Sequence, residues 1–312
     1  MNESGRAASR TAVLVCQGRP AADGSVAVGR FSDPVAVRLL RAEERTPVNE
    51  VRAGVPPQGW SARSRYESVR ACAEVMVPRT VAIDEALRAC VPRQLVILGA
   101  GLDTRAWRLS ELSRTDVWEV DHPASQQDKR ARLAEAAQRP QGPQGPEESG
   151  RPAVGLPIAA RSVRFTPVDF SDDDLGAALE GAGHDPSVPT AWVWEGVVPY
   201  LTHDEVRATL AALAARTAPG SVLVVNYQTP SARAAVGRLL TRVVGNASTS
   251  GEPWRSLWKP QRMAALLAEH GLRVVSDNDL QSLTHTLGGP ARGRTSLRSG
   301  RVAVAEYPRC AD

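Results

Sequence analysis

The chain has 312 residues, of which 42% are hydrophobic, and this composition excludes an intrinsically disordered protein because it can build a core. Its 38 Lys and Arg residues against 34 Asp and Glu residues give a net charge of +4, which is too small to indicate a nucleic-acid partner. The four cysteines lack metal-site spacing and no apolar run reaches the ~18 residues of a membrane span, so we expect a cytoplasmic protein without a metal site or a membrane partner.

The first part of the chain carries helical patterns and no convincing strand. They are "DPVAVRLLRAEE", which places Pro34 in a first helical turn, and the longer "SRYESVRACAEVMVPRTVAIDEALRAC". We therefore predict an N-terminal helical cap over residues 1–90 that belongs to the same domain as residues 91–312.

From about Arg93 onward, short β-branched runs alternate with longer amphipathic stretches, a pattern typical of βαβ units and a parallel sheet. We predict seven strands in an α/β, Rossmann-like fold, at "QLVILG", "DVWEVD", "SVRFTPVD", "TAWVWEG", "GSVLVVNYQ", "LRVVSD" and "RVAVAEY". Capping signals predict helices between these strands. Thr202 and Glu205 form a capping box at the start of one helix, and Gly271 follows "QRMAALLAEH" as a C′ residue at the end of another.

Two segments interrupt this alternation. Residues 138–160 are dense in Pro and Gly, which predicts a surface loop. Residues 229–262 include Trp254 and Trp258, and we predict a lid insertion there, over the carboxyl edge of the sheet.

A glycine-rich turn follows the first strand in "LVILGAGLDTRAWRL". Gly99 and Gly101, on either side of Ala100, permit positive φ angles and the close approach of a ligand, although a lone G-x-G also fits a merely tight connection. The second strand ends at Asp121, 22 positions after Gly99, where a carboxylate can accept hydrogen bonds from both hydroxyls of an adenosine ribose. The two features together predict a nucleotide-type site.

The residue at the third-glycine position of this turn indicates which of two cofactor classes the site would bind. A dinucleotide fingerprint has a third glycine, whereas this chain has Thr104, which favours a ligand without phosphate such as S-adenosylmethionine (SAM) and leaves NAD as the alternative. His122 would lie on the cofactor side of Asp121. At the end of the third strand, Asp169 could accept from the adenine amino group and Phe170 could offer an apolar face, while the following acidic residues are interpreted as a helix N-cap.

Four blocks together resemble one family: "VILGAGLDTRAWRL", "WEVDHP", "VDFSDDD" and "WEGVVPYLTHDEV" look like the leucine carboxyl methyltransferase family of SAM-dependent methyltransferases. The resemblance covers about Phe31 to Asp312. Its "WEGV" form is similar to a branch of bacterial small-molecule enzymes that contains a carboxyl methyltransferase of tetracenomycin biosynthesis. It implies the seven-stranded fold of class I methyltransferases with a helical cap.

The resemblance also implies roles for individual residues. Arg79 and Thr80 match a helical motif whose Arg binds the cofactor carboxylate, but the second Arg of that motif is Val81 here. Glu195 matches a residue beside the SAM amino group and methyl donor, and Tyr200 matches a residue of the acceptor pocket. The alternatives are a surface pair of Arg79 with Asp84, a structural Glu195 and a core Tyr200.

The expected function is a SAM-dependent O-methyltransferase acting on a small-molecule carboxylate or hydroxyl of a bacterial natural product. A carboxylate needs no general base at neutral pH, and the five histidines form no convincing His–carboxylate arrangement in the sequence. Alternatives are a protein C-terminal carboxyl methyltransferase, an NAD-dependent oxidoreductase and a noncatalytic SAM-binding module.

Two further features bear on the acceptor. Trp60, Trp254 and Trp258 favour an enclosed pocket, or else belong to the core. The arginine-rich stretch "ARGRTSLRSGR" is interpreted as a solvated loop before the last strand, with no nucleic-acid partner, because it lacks interleaved aromatic residues.

Overall fold

The N-terminal part of the chain is helical. The structure, a computed structural model, describes residues 9–138, 156–230, 254–288 and 295–309. Its first four helices are α1 (Arg10–Ala22), α2 (Ala36–Leu39), α3 (Ala42–Ala53) and α4 (Trp60–Cys90). None of the helices in these ranges is long and apolar enough to cross a membrane.

The helices differ in detail from the sequence prediction. Helix α1 was not predicted at all. The single helix expected at "DPVAVRLLRAEE" is interrupted at Leu40, which has an extended backbone, so that α2 and α3 are separate. Asp33 rather than Pro34 organises the first of these helices, because Asp33 Oδ1 accepts a hydrogen bond from Ala36 N at 2.9 Å.

Seven strands form one sheet, as predicted. They are β1 (Gln94–Leu98), β2 (Asp116–Asp121), β3 (Ser162–Pro167), β4 (Thr190–Trp194), β5 (Val222–Gln228), β6 (Arg273–Asp279) and β7 (Gly300–Glu306). Their order is β3-β2-β1-β4-β5-β7-β6, and all pairings are parallel except those of β7. The carboxyl ends of the parallel strands β1 to β5 therefore lie along one edge of the sheet.

The remaining helices connect these strands. They are α5 (Arg105–Arg108), α6 (Pro123–Gln138), α7 (Leu175–Gly181), α8 (His203–Ala214), α9 (Pro260–Glu269), α10 (Leu280–Thr286) and α11 (Thr295–Ser299), with 3-10 turns at Ser110–Arg114 and Val198–Tyr200. The capping box of α8 is present, with Glu205 N donating to Thr202 Oγ1 at 3.2 Å. Gly271 follows α9 with a φ of +77°, as a C′ glycine should.

The central strands are buried along their whole length, because helices cover both faces of the sheet. Trp118, Trp192 and Trp194 are among the largest fully buried side chains. This core fixes the positions at which the loops after β1, β2, β3 and β4 leave the sheet.

Three of the predicted segments lie only partly within the described residues. Most of the predicted 138–160 loop and most of the predicted 229–262 lid lie outside them. The interpretation of "ARGRTSLRSGR" as a solvated loop is wrong for its described part, because Thr295–Ser299 is helical and Arg301 lies within β7. There Arg301 Nε donates to Asp277 Oδ1 at 2.8 Å, a cross-strand ion pair that favours the strand.

Candidate cofactor and substrate site

A cavity of about 820 Å³ opens above the carboxyl ends of β1, β2, β3 and β4. Its volume falls in the range of about 300–1,000 Å³ that is typical of small-molecule sites. The predicted site residues in its wall are Arg79, Gly99, Ala100, Gly101, Asp121, His122, Asp169, Phe170, Glu195 and Tyr200. The fold therefore brings together all but one of the residues that the sequence singled out.

The glycine turn after β1 is a point of close approach between three elements. Gly99 has a φ of +66° and Gly101 a φ of +47°. A Cβ atom on Gly99 would overlap the side chain of Val197, which follows β4, and a Cβ on Gly101 would lie 3.3 Å from Ala12 Cβ in α1. Glycine is needed here both for the backbone conformation and for the space.

Asp121 closes one side of this turn. Its Oδ2 accepts a hydrogen bond from Gly101 N at 2.5 Å, and its Oδ1 accepts one from His122 N at 2.7 Å. Burial raises the pKa of Asp121, and these two backbone donors offset part of that rise. The carboxylate thus has a fixed orientation at the cavity wall.

The segment after β3 forms the next part of the wall. Asp169 Oδ2 lies 3.6 Å from His122 Nε2, and Asp169 Oδ1 accepts from Ser171 N at 3.0 Å. Asp174 is the N-cap of α7 and accepts from Ala177 N at 3.0 Å, which agrees with the interpretation of the acidic run as a helix start.

Thr104 does not line the cavity, although the sequence placed it among the cofactor-binding residues. Its side chain is fully buried behind the turn, where Oγ1 donates to Asp33 Oδ2 at 2.6 Å. Its hydroxyl therefore links the turn to the N-terminal helices. Leu102 and Asp103, the two residues before Thr104, still border the cavity.

Arg79 joins the N-terminal helices to the sheet. Its Nε donates to Glu195 Oε1 at 2.7 Å, and both side chains are buried, with 8% and 6% exposed. Its Nη1 lies 3.4 Å from Asn226 Oδ1. The alternative pair with Asp84 is wrong, because Asp84 instead pairs with Arg105 at 2.8 Å.

Sequence reasoning missed a group of buried charges that lies partly in the cavity wall and partly behind it. We call it the arginine–carboxylate cluster, and it consists of Arg19, Asp33, Arg79, Asp84, Asp103, Arg105, Arg108 and Glu195. Arg105 is its centre, since its guanidinium contacts Asp84, Asp103 and Glu195. Arg105 and Asp103 both stood in the glycine-turn block, but Asp84 and Glu195 lie far from them in the sequence, and no local pattern reveals those pairings.

The cluster fixes the ionisation of Glu195. Burial would raise the pKa of this carboxyl group, but Arg79 and Arg105 hold it well below its usual range. Glu195 is consequently an ionised carboxylate at neutral pH and a poor proton acceptor.

Helix α1 supplies a further wall that the sequence did not predict. Ser9, Arg10, Thr11, Ala12, Val15 and Arg19 all border the cavity. The one local signal for this helix is Ser9, whose side chain accepts a hydrogen bond from Thr11 N at 3.2 Å as an N-cap does.

Tyr200 and Arg255 also line the cavity. Tyr200 lies in the 3-10 turn after β4, and Arg255 N donates to the neighbouring Pro199 O at 2.6 Å. None of the three tryptophans lines the cavity. Trp258 is buried in the core, which is the alternative given for it, whereas Trp254 is half-buried and Trp60 is 82% exposed at the start of α4.

Comparisons with known proteins agree with this geometry. A family model described as leucine carboxyl methyltransferase matches residues 12–214. Two relatives described as "Putative S-adenosyl-L-methionine-dependent methyltransferase" come from Mycolicibacterium paratuberculosis (36% identical over 214 residues, 66% of this chain and 60% of the relative) and Mycolicibacterium gilvum (31% over 279 residues, 88% and 76%). The chain spans no more than 60% of the length of several relatives that it matches.

Solved structures share the fold. A "putative methyltransferase" from Thermobifida fusca has a TM-score of 0.55 at 16% identity, with 98% of this chain and 97% of that chain covered. A "duf574 family protein" from Streptomyces avermitilis has the same score and identity, with 96% and 98% covered. The leucine carboxyl methyltransferase family model matches more than half of this chain, and the chain therefore belongs to that family.

Proposed function

We propose that this protein is a SAM-dependent O-methyltransferase whose acceptor is a carboxylate, or else a hydroxyl, of a small bacterial natural product. The observation that carries the proposal is the arrangement of the glycine turn, Asp121, Arg79 and Glu195 around one cavity, in a member of this family. The proposed cofactor-binding set is Arg79, Gly99, Ala100, Gly101, Asp121, His122, Asp169, Phe170 and Glu195, without Thr104.

The residues in the wall fit the chemistry of SAM at both ends. Asp121 and Asp169 offer carboxylate acceptors to the ribose hydroxyls and the adenine amino group. Arg79 and Glu195 offer opposite charges to the carboxylate and the ammonium of the amino-acid end. Arg19, a second buried arginine, also borders the cavity.

SAM, when bound, supplies an activated methyl group on a sulfonium. The task of the protein is then to hold the acceptor oxygen in position, and such positioning can contribute roughly 7–11 kcal/mol. We assign Tyr200 to the orientation of the acceptor, because it borders the cavity and follows β4 in the same segment as Glu195. Glu195 would act beside it through its fixed negative charge rather than as a base.

A carboxylate acceptor is supported by the groups near the cavity. Of the five histidines, His122 alone contributes to the wall, and its Nε2 lies toward Asp169 on the proposed cofactor side. A carboxylate with a reference pKa of about 4 is ionised without a base, whereas a phenol with a pKa of about 10 requires one.

We further propose that the N-terminal helices and the sheet form one domain, with residues 229–262 as a lid. In support, α1 and α4 supply wall residues whose partners follow β1 and β4, namely Leu102 for Arg19 and Glu195 for Arg79. Arg255, within the lid segment, borders the cavity.

The test is an acceptor screen with isotopically labelled SAM. Purified protein is incubated with a panel of aromatic polyketide acids and phenols, and products are identified by mass spectrometry before and after mild alkali. Mild alkali cleaves a methyl ester but not a methyl ether, which separates carboxyl from hydroxyl transfer. Label in a peptide with a C-terminal leucine would instead favour a protein acceptor. Calorimetric binding of NAD without binding of SAM or S-adenosylhomocysteine would overturn the proposal.

A further inference from the structure

Arg255 is an arginine of the cavity wall that lies outside the arginine–carboxylate cluster. Its backbone N donates to Pro199 O at 2.6 Å, and the next residue repeats the attachment, since Ser256 Oγ donates to Val198 O at 2.9 Å. Ser256 is 2% exposed, so this attachment is shielded from water. The backbone of Arg255 is therefore fixed beside the 3-10 turn that carries Tyr200.

The guanidinium of Arg255 is held much less firmly than its backbone. Its Nη1 lies 3.2 Å from Glu205 Oε2 and 3.3 Å from Glu205 Oε1, and the side chain is 48% exposed. Glu205 also accepts a hydrogen bond from Thr202 N at 2.7 Å in the capping box of α8. Among the described residues, Glu205 is the one hydrogen-bond partner of this guanidinium. Exposed ion pairs of this kind contribute little to stability, so the guanidinium can exchange its partner for a ligand.

The wall that adjoins Arg255 is otherwise apolar or aromatic. Val197, Tyr200 and Leu201 border the cavity in the segment that follows β4. Glu195, the acidic residue of that segment, is paired with arginines of the arginine–carboxylate cluster instead of with Arg255. A wall of this composition, with one available positive charge, suits a ligand that combines an apolar body with a negative group.

We propose that Arg255 binds one carboxylate oxygen of an apolar acid acceptor, an inference that rests on the proposed use of SAM. The second carboxylate oxygen stays free to attack the methyl group: its lone pair forms the new O–C bond, and the electron pair of the broken C–S bond goes to sulfur. No proton is transferred in this step. The ester that results is neutral and loses its attraction to Arg255. Arg255 thus selects carboxylate over hydroxyl acceptors and favours release of the product.

The test compares two probes of nearly the same shape on the full chain, saturated with S-adenosylhomocysteine. At neutral pH 2-naphthoate is an anion, whereas 2-naphthamide carries no charge. In calorimetry we expect the parent to bind 2-naphthoate at least about 5-fold more tightly than 2-naphthamide, and Arg255→Gln to reduce this ratio to less than about 2-fold. Arg255→Lys should retain part of the ratio, because it keeps the charge without the fork.

Arg207→Gln is the matched control on α8. Arg207 is an exposed arginine that lies 3.7 Å from Asp204, and it does not border the cavity. We expect this variant to keep the parent ratio of the two affinities. It separates a local contact in the cavity from a general change in surface charge.

The outcomes separate the two proposals. A parent that does not bind S-adenosylhomocysteine contradicts the proposed use of SAM, and the role of Arg255 is wrong with it. If the parent binds S-adenosylhomocysteine but does not prefer 2-naphthoate, or if the preference survives in Arg255→Gln or is lost in Arg207→Gln, the role of Arg255 alone is overturned. Weaker S-adenosylhomocysteine binding by Arg255→Gln would also overturn it, because that result assigns the side chain to the cofactor.

Discussion

The buried pair of Lys129 and Glu119 allows a quantitative prediction about stability. Lys129 Nζ lies 2.6 Å from Glu119 Oε2 and 2.7 Å from Asp103 O, and 4.9 Å from the centre of the Trp107 ring. Two of the three lysine donors therefore form hydrogen bonds, and the Trp107 ring adds a cation–π contact. Lys129 is 1% exposed, so the pair is shielded from solvent.

Replacing Lys129 by Met should destabilise the fold by about 3–5 kcal/mol at pH 8, because it leaves the Glu119 carboxylate buried without its partner. Burial already raises the pKa of Glu119, and loss of the lysine raises it further. The folded variant then binds one more proton than the unfolded chain above the ordinary pKa of a glutamate. Its stability must therefore fall as the pH rises, by at most about 1.4 kcal/mol per pH unit.

Urea denaturation followed by circular dichroism at pH 6 and pH 8 measures this loss. The matched control is the double variant Lys129→Met with Glu119→Gln, which has no charge to bury and should regain much of the stability at pH 8. A loss below about 1 kcal/mol for Lys129→Met, or a loss that is the same at both pH values, would refute this account of the pair.

Three further predictions concern the cavity wall. Asp121→Asn should weaken S-adenosylhomocysteine binding about 5- to 100-fold in calorimetry, because a charged acceptor for two hydroxyls is lost; unchanged affinity would place Asp121 outside the site. Arg79→Ala should weaken it about 10- to 150-fold and Arg79→Lys less so; parent-like binding by both variants would contradict the assigned role. Gly99→Ala should lower the stability by about 1–3 kcal/mol in thermal melting, since φ is +66° and the new methyl group overlaps Val197; an unchanged melting temperature would argue against that packing.

Much of the sheet could be predicted from the sequence because its central strands are buried on both faces and are apolar along their length. The proximity of Gly101 and Asp121 followed from the same premise, since adjacent parallel strands end at the same edge. The antiparallel direction of β7 and its position between β5 and β6 are set by pairings over long sequence separations, and no local pattern specifies them.

Two features of the site, the presence of helix α1 and the absence of Thr104, could not be predicted. Helix α1 contains Gly18 and Pro20, residues with low helix propensity, and it is stabilised by packing against α4 rather than by its own sequence pattern. Thr104 was expected at the ligand because it follows the glycine turn, but its hydrogen-bond partner Asp33 lies 71 residues earlier in the chain. Both cases depend on tertiary contacts between the N-terminal helices and the sheet.

The arginine–carboxylate cluster limits how this protein can be recombined with its relatives. The N-terminal helices and the segments before them contribute two arginines and two carboxylates, and the part after residue 90 also contributes two of each, so either half is neutral alone. The pairs nevertheless cross the junction, as Arg79 with Glu195 and Asp84 with Arg105 do. A chimera that exchanges residues 1–90 for those of a relative should fold well only where the donor carries the same charges at these positions. Crossover points for such chimeras are therefore better placed so that all eight residues come from one parent.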